Sequence, residues 1–445
     1  MVLQSVKYKA FTRDNIEKVP QFQLLPAEIQ RDIRVVSAVF PFRTNRYIVD
    51  HQIDWNDVPN DPIYQLTFPQ RDMLSEEDYN RVAALIDAED RNELKLATRD
   101  IQMAHNPHPA GQQEYNVPHL NGEPLPGLQH KYDETVLFFP SQGQTCHAYC
   151  SYCFRWAQFI GMQDLKFASR EAGTLAQYLC QHTEVSDILF TGGDPAIMKT
   201  KALRAYIEPL LAPELEHVQT IRIGTKAISY WPYRFVTDDD ADDLLRLFEE
   251  IAASGRHVAI MAHYSHTREM EPEIAHQAVQ RLRDVGCEIR MQAPLMKHIN
   301  DDPDVWAEMW RYGTRQGLIP YYMFVSRDTG PRGYFELSLF DAFNIFQGAY
   351  QQVSGLARTV RGPVMSATPG KVMVNGIANV AGQQVFVLSF LQGRNPAWVG
   401  RPFFARFDPE ASWLFDLEPA FSNDGRFFYE REFAEVIPLF AASGD

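Results

Sequence analysis

An alternation through the middle of the chain constrains the fold more than any other feature. Short apolar runs begin near positions 134, 187, 219, 257, 287 and 319, reading ETVLFFP, VSDILFTGG, VQTIRIGT, RHVAIMAHY, CEIRMQAPL and LIPYYMFV. Between them lie segments of helical periodicity, among them MKTKALRAYIEPLLA, DDADDLLRLFEEIAASG, EIAHQAVQRLRDVG and PDVWAEMWRYGTRQG. Strands separated by helices pair in parallel, because the crossover returns the chain to the end of the sheet where it began. Six of them predict an α/β unit, either open or barrel-like, and periodicity does not choose between the two. In both forms the carboxyl ends of the strands make the functional rim. Gly255, Gly286 and Gly317 follow helices at C-cap positions. The run TDDDADD suits the positive end of a helix better than a metal loop.

Regions of different character flank this unit. Residues 1–130 read as a mainly helical and irregular leading region, with helices in PAEIQRDIRVV and SEEDYNRVAALIDAEDRNELKLATRDIQMA. It ends in the connection HNPHPAGQQEYNVPHLNGEPLPGLQH, whose aromatic and proline content suits a segment that wraps the next unit. Residues 131–335 hold the strand–helix alternation. Residues 336–445 form a C-terminal region with a helix in FDAFNIFQGAYQQVSGLA and a strand–turn–strand in KVMVNGIANVAGQQVFVLSF. The formal charge of -15, with no dense Lys/Arg stripe, argues against nucleic acid as a partner. The opening MVLQSVKYKAFTRDN turns polar before a signal core forms, and no apolar run reaches membrane-spanning length, so neither export nor a membrane span is expected. Five cysteines, odd in number and sparse, suit a reducing cytoplasm.

Three of the five, Cys146, Cys150 and Cys153, lie in TCHAYCSYCFR, directly after the first strand. Structural zinc takes four protein ligands. Cys180 and Cys287 stand alone in a helix and a strand and read as buried small hydrophobes, so a zinc site would need His147 as its fourth ligand. A disulfide fits the context poorly, and plain packing does not cluster polar-flanked thiols after a strand. The remaining reading is an iron–sulfur cluster in which three thiolates hold three irons of a cube and the fourth iron stays open to a small molecule. At the end of the second strand stands Gly192-Gly193-Asp194-Pro195, which taken alone is compatible with any tight turn. His263 and His266, in HYSH, have ligand-like spacing but no carboxylate or cysteine companion.

CHAYCSYCFR matches the CxxxCxxC pattern of the radical S-adenosylmethionine (SAM) enzymes in full, and GGDP follows one crossover later. Longer stretches resemble successive strand ends of the lysine 2,3-aminomutase family: VLFFPSQGQTCHAYCSYCFR, ILFTGGDP, IRIGTKAISYWPYRF, HYSHTRE, RMQAPLMKHIND and GLIPYYMFVSRDTG. They keep the family's order between about residues 130 and 390. The resemblance implies a partial (β/α)6 TIM-like barrel of the radical SAM type. It implies a [4Fe–4S] cluster on Cys146, Cys150 and Cys153 that cleaves SAM to a 5'-deoxyadenosyl radical. Gly192, Gly193, Asp194 and Pro195 would meet the methionine end of SAM, and Gln292 its adenosine; His263 and His266 would touch cofactor or substrate without a metal. Family members also use pyridoxal phosphate, and their cofactor lysine corresponds to Lys371 in SATPGKVMVNG, where the usual Gly-rich loop is reduced to Gly370. Arg155 corresponds to the arginine that meets the substrate carboxylate, although FRWAQF replaces the further arginines usual in the family. The resemblance also implies an electron donor such as flavodoxin or ferredoxin. Family members commonly associate into homo-oligomers.

The resemblance also bears on the substrate. Lysine-specific members hold the ε-ammonium with two aspartates. The corresponding positions here are Arg327, with Asp328 beside it, and Val364, and no acidic residue lies between Arg361 and Lys371. An ammonium buried against an arginine without a carboxylate is strongly disfavoured. The expected substrate is therefore an amino acid other than lysine, its side chain facing Arg327 or, one residue on, Asp328. A radical isomerase of the aminomutase kind is the leading reading. Two others stay open: a radical SAM epimerase or dehydrogenase of an amino acid or peptide without pyridoxal phosphate, and an iron–sulfur or zinc scaffold.

Overall fold

A computed structural model describes residues 6–106, 116–160 and 167–432. Part of the HNPHPAGQQEYNV connection and the end of the C-terminal tail lie outside the described residues. Eleven strands form one sheet in strict chain order. They are β1 Leu128–Tyr132, β2 Thr135–Phe138, β3 Asp187–Phe190, β4 Thr220–Thr225, β5 His257–His263, β6 Glu288–Leu295, β7 Ile319–Val325, β8 Arg361–Ser366, β9 Gly370–Val380, β10 Gln383–Gly393 and β11 Pro402–Arg406. From β2 to β8 every neighbouring pair is parallel. The flanking pair β1/β2 and the pairs from β8 to β11 are antiparallel.

The six predicted strands are all present. The sheet is nonetheless larger than a six-stranded parallel unit, because β8–β11 continue it into the C-terminal region. Strand β8 escapes sequence reading because RGPVMS carries a glycine and a proline, which read as a turn. Strand β1, LQHKY, lacks the β-branched residues that mark a strand. Among the described residues no helix is long and apolar enough to cross a membrane.

Alternation along the strands separates two faces. In β4, Ile221 and Ile223 are buried while Arg222 and Gly224 are only partly so. The isoleucines join the core beneath the crossover helices, with Leu244, Leu247 and Phe248 from Ala241–Ala253 and Trp306 and Trp310 from Pro303–Arg315. Each such burial contributes about 1.5–3 kcal/mol. The opposite face is polar: the Arg222 guanidinium grips both oxygens of Asp187, with Nε–Oδ1 at 2.7 Å. One register row across this sheet joins His263, Gln292, Tyr322 and Arg361. The sheet curls far enough that Lys131 of β1 donates to the carbonyl of Ala367, just beyond β8, at 2.5 Å.

The leading region packs on a second core. Its helices, including Ala27–Val39, Arg46–His51 and Pro62–Thr67, cover Ala148 and Trp156 of the cysteine loop as well as Tyr230 and Trp231. Cys287 is buried as expected, but Cys180 is exposed. Helical spacing gives the faces of Ala172–Gln181 but not which of them turns outward.

Candidate active site

The loop after β2 has almost no regular structure, so its backbone groups need partners elsewhere. The leading region supplies them. Tyr149 N–H donates to Arg43 O (2.8 Å) and Ser151 N–H to Leu66 O (2.9 Å). Tyr8 Oη and Asn45 Nδ2 donate to the carbonyl of His147 (2.7 and 3.2 Å), and Arg43 Nη1 donates to Thr145 Oγ1 (3.0 Å). The region that carries no recognisable motif thus frames the cysteine loop.

Cys146, Cys150 and Cys153 are half-buried free thiols. Burial first, then the charge of Asp194 and of the two sister cysteines, pushes Cys146 well above the ordinary thiol value. Cys153 is pushed up to about 12 by burial and then by Cys150. The three thiols are close enough that the charge of one raises its neighbours, and thiolates there need a cationic partner. Three soft donors with no fourth cysteine fit a cluster with an open iron in composition. Among the described residues no three His, Cys, Asp or Glu side chains gather as they would around a single ion. The buried His147 ring lies near-parallel to Trp231, with centroids 6.4 Å apart, and meets Tyr8 edge-on. Burial, then Arg234 and Arg43, pushes it down to about 3.

The Gly-Gly-Asp-Pro turn lies against this loop. A Cβ on Gly193 would fall 2.5 Å from Thr145 O, and Gly192 has a φ of +141°. Only glycine permits that approach. Asp194 has a different role. Its buried carboxylate accepts from Ala196 N (2.9 Å), Thr225 Oγ1 (2.6 Å) and Lys226 N (2.9 Å), tying the end of β3 to the end of β4. Burial raises it to about 6 despite those hydrogen bonds. Pro195 opens the buried turn Pro195–Ile197.

At the next strand ends, Gln292 Nε2 and His263 Nε2 lie 3.4 Å apart. Burial, then Lys226, pushes His263 down to about 3, so its imidazole is neutral. Lys226 pairs with Glu269, fully buried, at 2.6 Å and lies 4.7 Å from the ring of Tyr230. Tyr230 Oη in turn sits 3.2 Å from Cys150 Sγ. His266 differs from His263: its ring accepts from Arg268 N (3.2 Å) and caps the turn Thr267–Glu269, a structural use of the side chain.

On the other flank, the Arg155 guanidinium lies 4.1 Å from the ring of Phe139 and 5.4 Å from that of Phe154. Arg327 lies 4.9 Å from the same Phe154 and donates to Ser366 O (2.8 Å) and Oγ (3.2 Å). Burial, then Arg327, pushes Arg155 down to about 9. The Asp328 charge partly offsets the effect of burial on Arg327. Lys371 donates to Gln392 Oε1 (2.6 Å) and lies 5.1 and 5.6 Å from the rings of Tyr322 and Tyr132. Burial, then Arg222 and Arg361, pushes its amine down to about 7. An amine so lowered is partly neutral at physiological pH, as condensation with an aldehyde requires.

No protein-family model matches the chain. A putative L-lysine 2,3-aminomutase of Aquifex aeolicus is 30% identical over 393 residues, covering 88% of this chain and 91% of that protein. The chain belongs to the lysine 2,3-aminomutase family of the radical SAM superfamily. The L-lysine 2,3-aminomutase of Haemophilus influenzae is 29% identical over 249 residues, 54% of this chain and 69% of its own. That of Bacillus subtilis is 24% identical over 334 residues, 68% and 67%. A solved radical SAM methyltransferase from Sphaerobacter thermophilus overlaps 53% of this chain and 68% of its own at 15% identity and a TM-score of 0.36, too distant to bear on the site.

Within this aminomutase-family chain the expected residues fall into two groups. Cys146, Cys150, Cys153, Gly192 and Gly193 adjoin one another, and His263 and Gln292 pair at neighbouring strand ends. Arg155 and Arg327 share Phe154, while Lys371 lies across the sheet flank with Tyr132. Sequence reading missed Lys226, Tyr230, Glu269 and Lys131. The first two stand in IGTKAISYW, immediately after a strand end, and that position is the one signal that could have found them.

Proposed function

We propose that the protein is a radical isomerase of the aminomutase kind, acting on an amino acid other than lysine. The observation that carries this reading is Lys371, an enclosed amine brought near neutrality in a chain that also holds the CxxxCxxC loop and Arg155. A [4Fe–4S] cluster on Cys146, Cys150 and Cys153 with bound SAM would supply a carbon radical, and pyridoxal phosphate on Lys371 the conjugated ring over which an amino group migrates. The residues do the remaining work. Arg155 offers a guanidinium fork to an α-carboxylate. Gly192 and Gly193 let the Gly-Gly-Asp-Pro turn pack directly on Gln144 and Thr145 of the cysteine loop. Gln292 and the uncharged His263 offer hydrogen bonds without a competing charge. A one-electron donor of the flavodoxin or ferredoxin type completes the system.

The test is anaerobic reconstitution with iron and sulfide, followed by incubation with SAM, reductant and a panel of free amino acids. The expected result is 5'-deoxyadenosine together with a β-amino isomer, and a borohydride-sensitive absorbance band that is lost in Lys371→Ala. Cleavage of SAM without that band would assign the protein to the epimerase or dehydrogenase class. No cleavage under any condition would leave only the scaffold reading.

A further inference from the structure

Several cations of the polar interior are paired with carboxylates and others meet neutral groups, Arg361 over the rings of Tyr321 and Tyr322 being of the second kind. Arg222 is paired with Asp187, Arg290 with Glu288, and Lys226 with Glu269. For Lys131, Arg155, Arg327 and Lys371 the partners among the described residues are carbonyls, a hydroxyl, an amide and aromatic faces, and the Asp328 charge offsets only part of the burial of Arg327. These four form a connected series. The ring of Tyr132 lies 5.6 Å from Lys371 and 5.3 Å from Lys131. Lys131 and Arg327 donate to the consecutive carbonyls of Ala367 and Ser366. The ring of Phe154 lies between Arg327 and Arg155, so the two guanidinium carbons are no more than about 10 Å apart. All four side chains belong to half-buried residues that water can still reach.

A row of enclosed cations without counter-charges is destabilising by itself and becomes favourable when anions fill it. Burial, then Arg394, Arg327 and Lys371, lowers Lys131 well below its ordinary value, the response expected of mutual repulsion. The α-carboxylate and a cofactor phosphate would answer part of this charge. Arg327 is left over, and a cationic side chain placed beside it would worsen the imbalance. We propose that Arg327, with the Ser366 hydroxyl and with Lys131 adjoining, seats the side-chain carboxylate of a dicarboxylic α-amino acid whose α-carboxylate lies on Arg155. This deepens the aminomutase reading and rests on it.

The test is equilibrium titration of the protein loaded with pyridoxal phosphate, without SAM, read by the cofactor absorbance. The titrants are L-glutamate, L-aspartate, their amides, L-alanine and L-lysine. At least one diacid binds about 10-fold or more tighter than its amide and than lysine, the ratio expected of one charge-assisted hydrogen-bond pair. Arg327→Gln brings diacid and amide within about 2-fold and leaves alanine unchanged, while Arg327→Lys keeps part of the preference and controls for folding. Equal binding of diacid and amide by the wild type, or a preference that survives Arg327→Gln, overturns the assignment. If Arg327→Gln instead abolishes cofactor loading, the seat belongs to the phosphate and the substrate assignment falls. A wild-type protein that takes up no pyridoxal phosphate refutes the parent reading and this one with it, and the absent cofactor band distinguishes that failure from the others.

Discussion

Replacing Lys371 with methionine should stabilise the ligand-free protein while abolishing its proposed function, and the gain should depend on pH in one direction only. The amine falls from an ordinary value of 10.5 to about 7, first through burial and then through Arg222 and Arg361. A lysine whose folded value is lowered binds fewer protons folded than unfolded between those two limits, so the wild type gains stability as pH rises from about 7 toward 10.5. Below about 7 the full burden of the buried charge is present. At about 1.4 kcal/mol for each tenfold step, the burden has a ceiling of about 5 kcal/mol. Water reaching the half-buried side chain, and the hydrogen bond to Gln392 that methionine gives up, reduce this to about 2 kcal/mol. Thermal melts of apo wild type and Lys371→Met at pH 6, 7.5 and 9 measure it. The variant should melt a few degrees higher at pH 6, and the difference should shrink as pH rises. A variant no more stable at pH 6, or a gap that widens toward pH 9, would refute the placement of this amine among cations in a poorly solvated site.

Three further outcomes follow from the geometry. Gly193→Ala drives a methyl against the Thr145 backbone, which should cost about 1–3 kcal/mol and lower the iron bound on reconstitution, measured by melting and by metal analysis. Tyr230→Phe removes the hydroxyl 3.2 Å from Cys150 Sγ; with roughly 1 kcal/mol less stabilisation of the reduced cluster, its midpoint should fall by roughly 40 mV in an EPR-monitored redox titration. An unchanged midpoint at full iron content would mean that this hydroxyl does not reach the cluster sulfur. Glu269→Gln leaves the enclosed Lys226 without its counter-charge and should cost about 3–5 kcal/mol in denaturant unfolding, whereas Lys226→Met with Glu269→Gln should recover a large part of it.

The parts of this molecule legible in the sequence are those whose meaning is carried by residue type at short range. Six strands show because apolar alternation and helical periodicity are local, and the cysteine loop shows because thiols at that spacing have few uses. Strand β8 does not show, since Gly362 and Pro363 look like a turn until β7 and β9 are seen on either side of it. His263 and His266 look alike in HYSH, yet β5 ends at the first and a capped turn begins at the second, so one ring meets Gln292 and the other is used up by Arg268 N. The exposure of Cys180 is hidden for a related reason: helical spacing does not reveal which face turns outward.

The sorting of interior cations is the least legible feature and the one with most bearing on the substrate. Lys226 finds Glu269 43 residues later, and Arg222 finds Asp187 35 residues earlier. Arg327 finds a serine on the next strand and shares an aromatic ring with Arg155, 172 positions before it. In sequence all four are lysines or arginines in or after strands. Only the folded chain shows that two are paired with carboxylates, whereas the hydrogen-bond and ring partners of Arg155 and Arg327 among the described residues are aromatic rings, a carbonyl and a hydroxyl. Two guanidiniums that share one ring make a setting less suited to an ammonium than to an anion. The proposed departure from lysine draws on this charge arrangement, in which the Asp328 carboxylate also acts on Arg327.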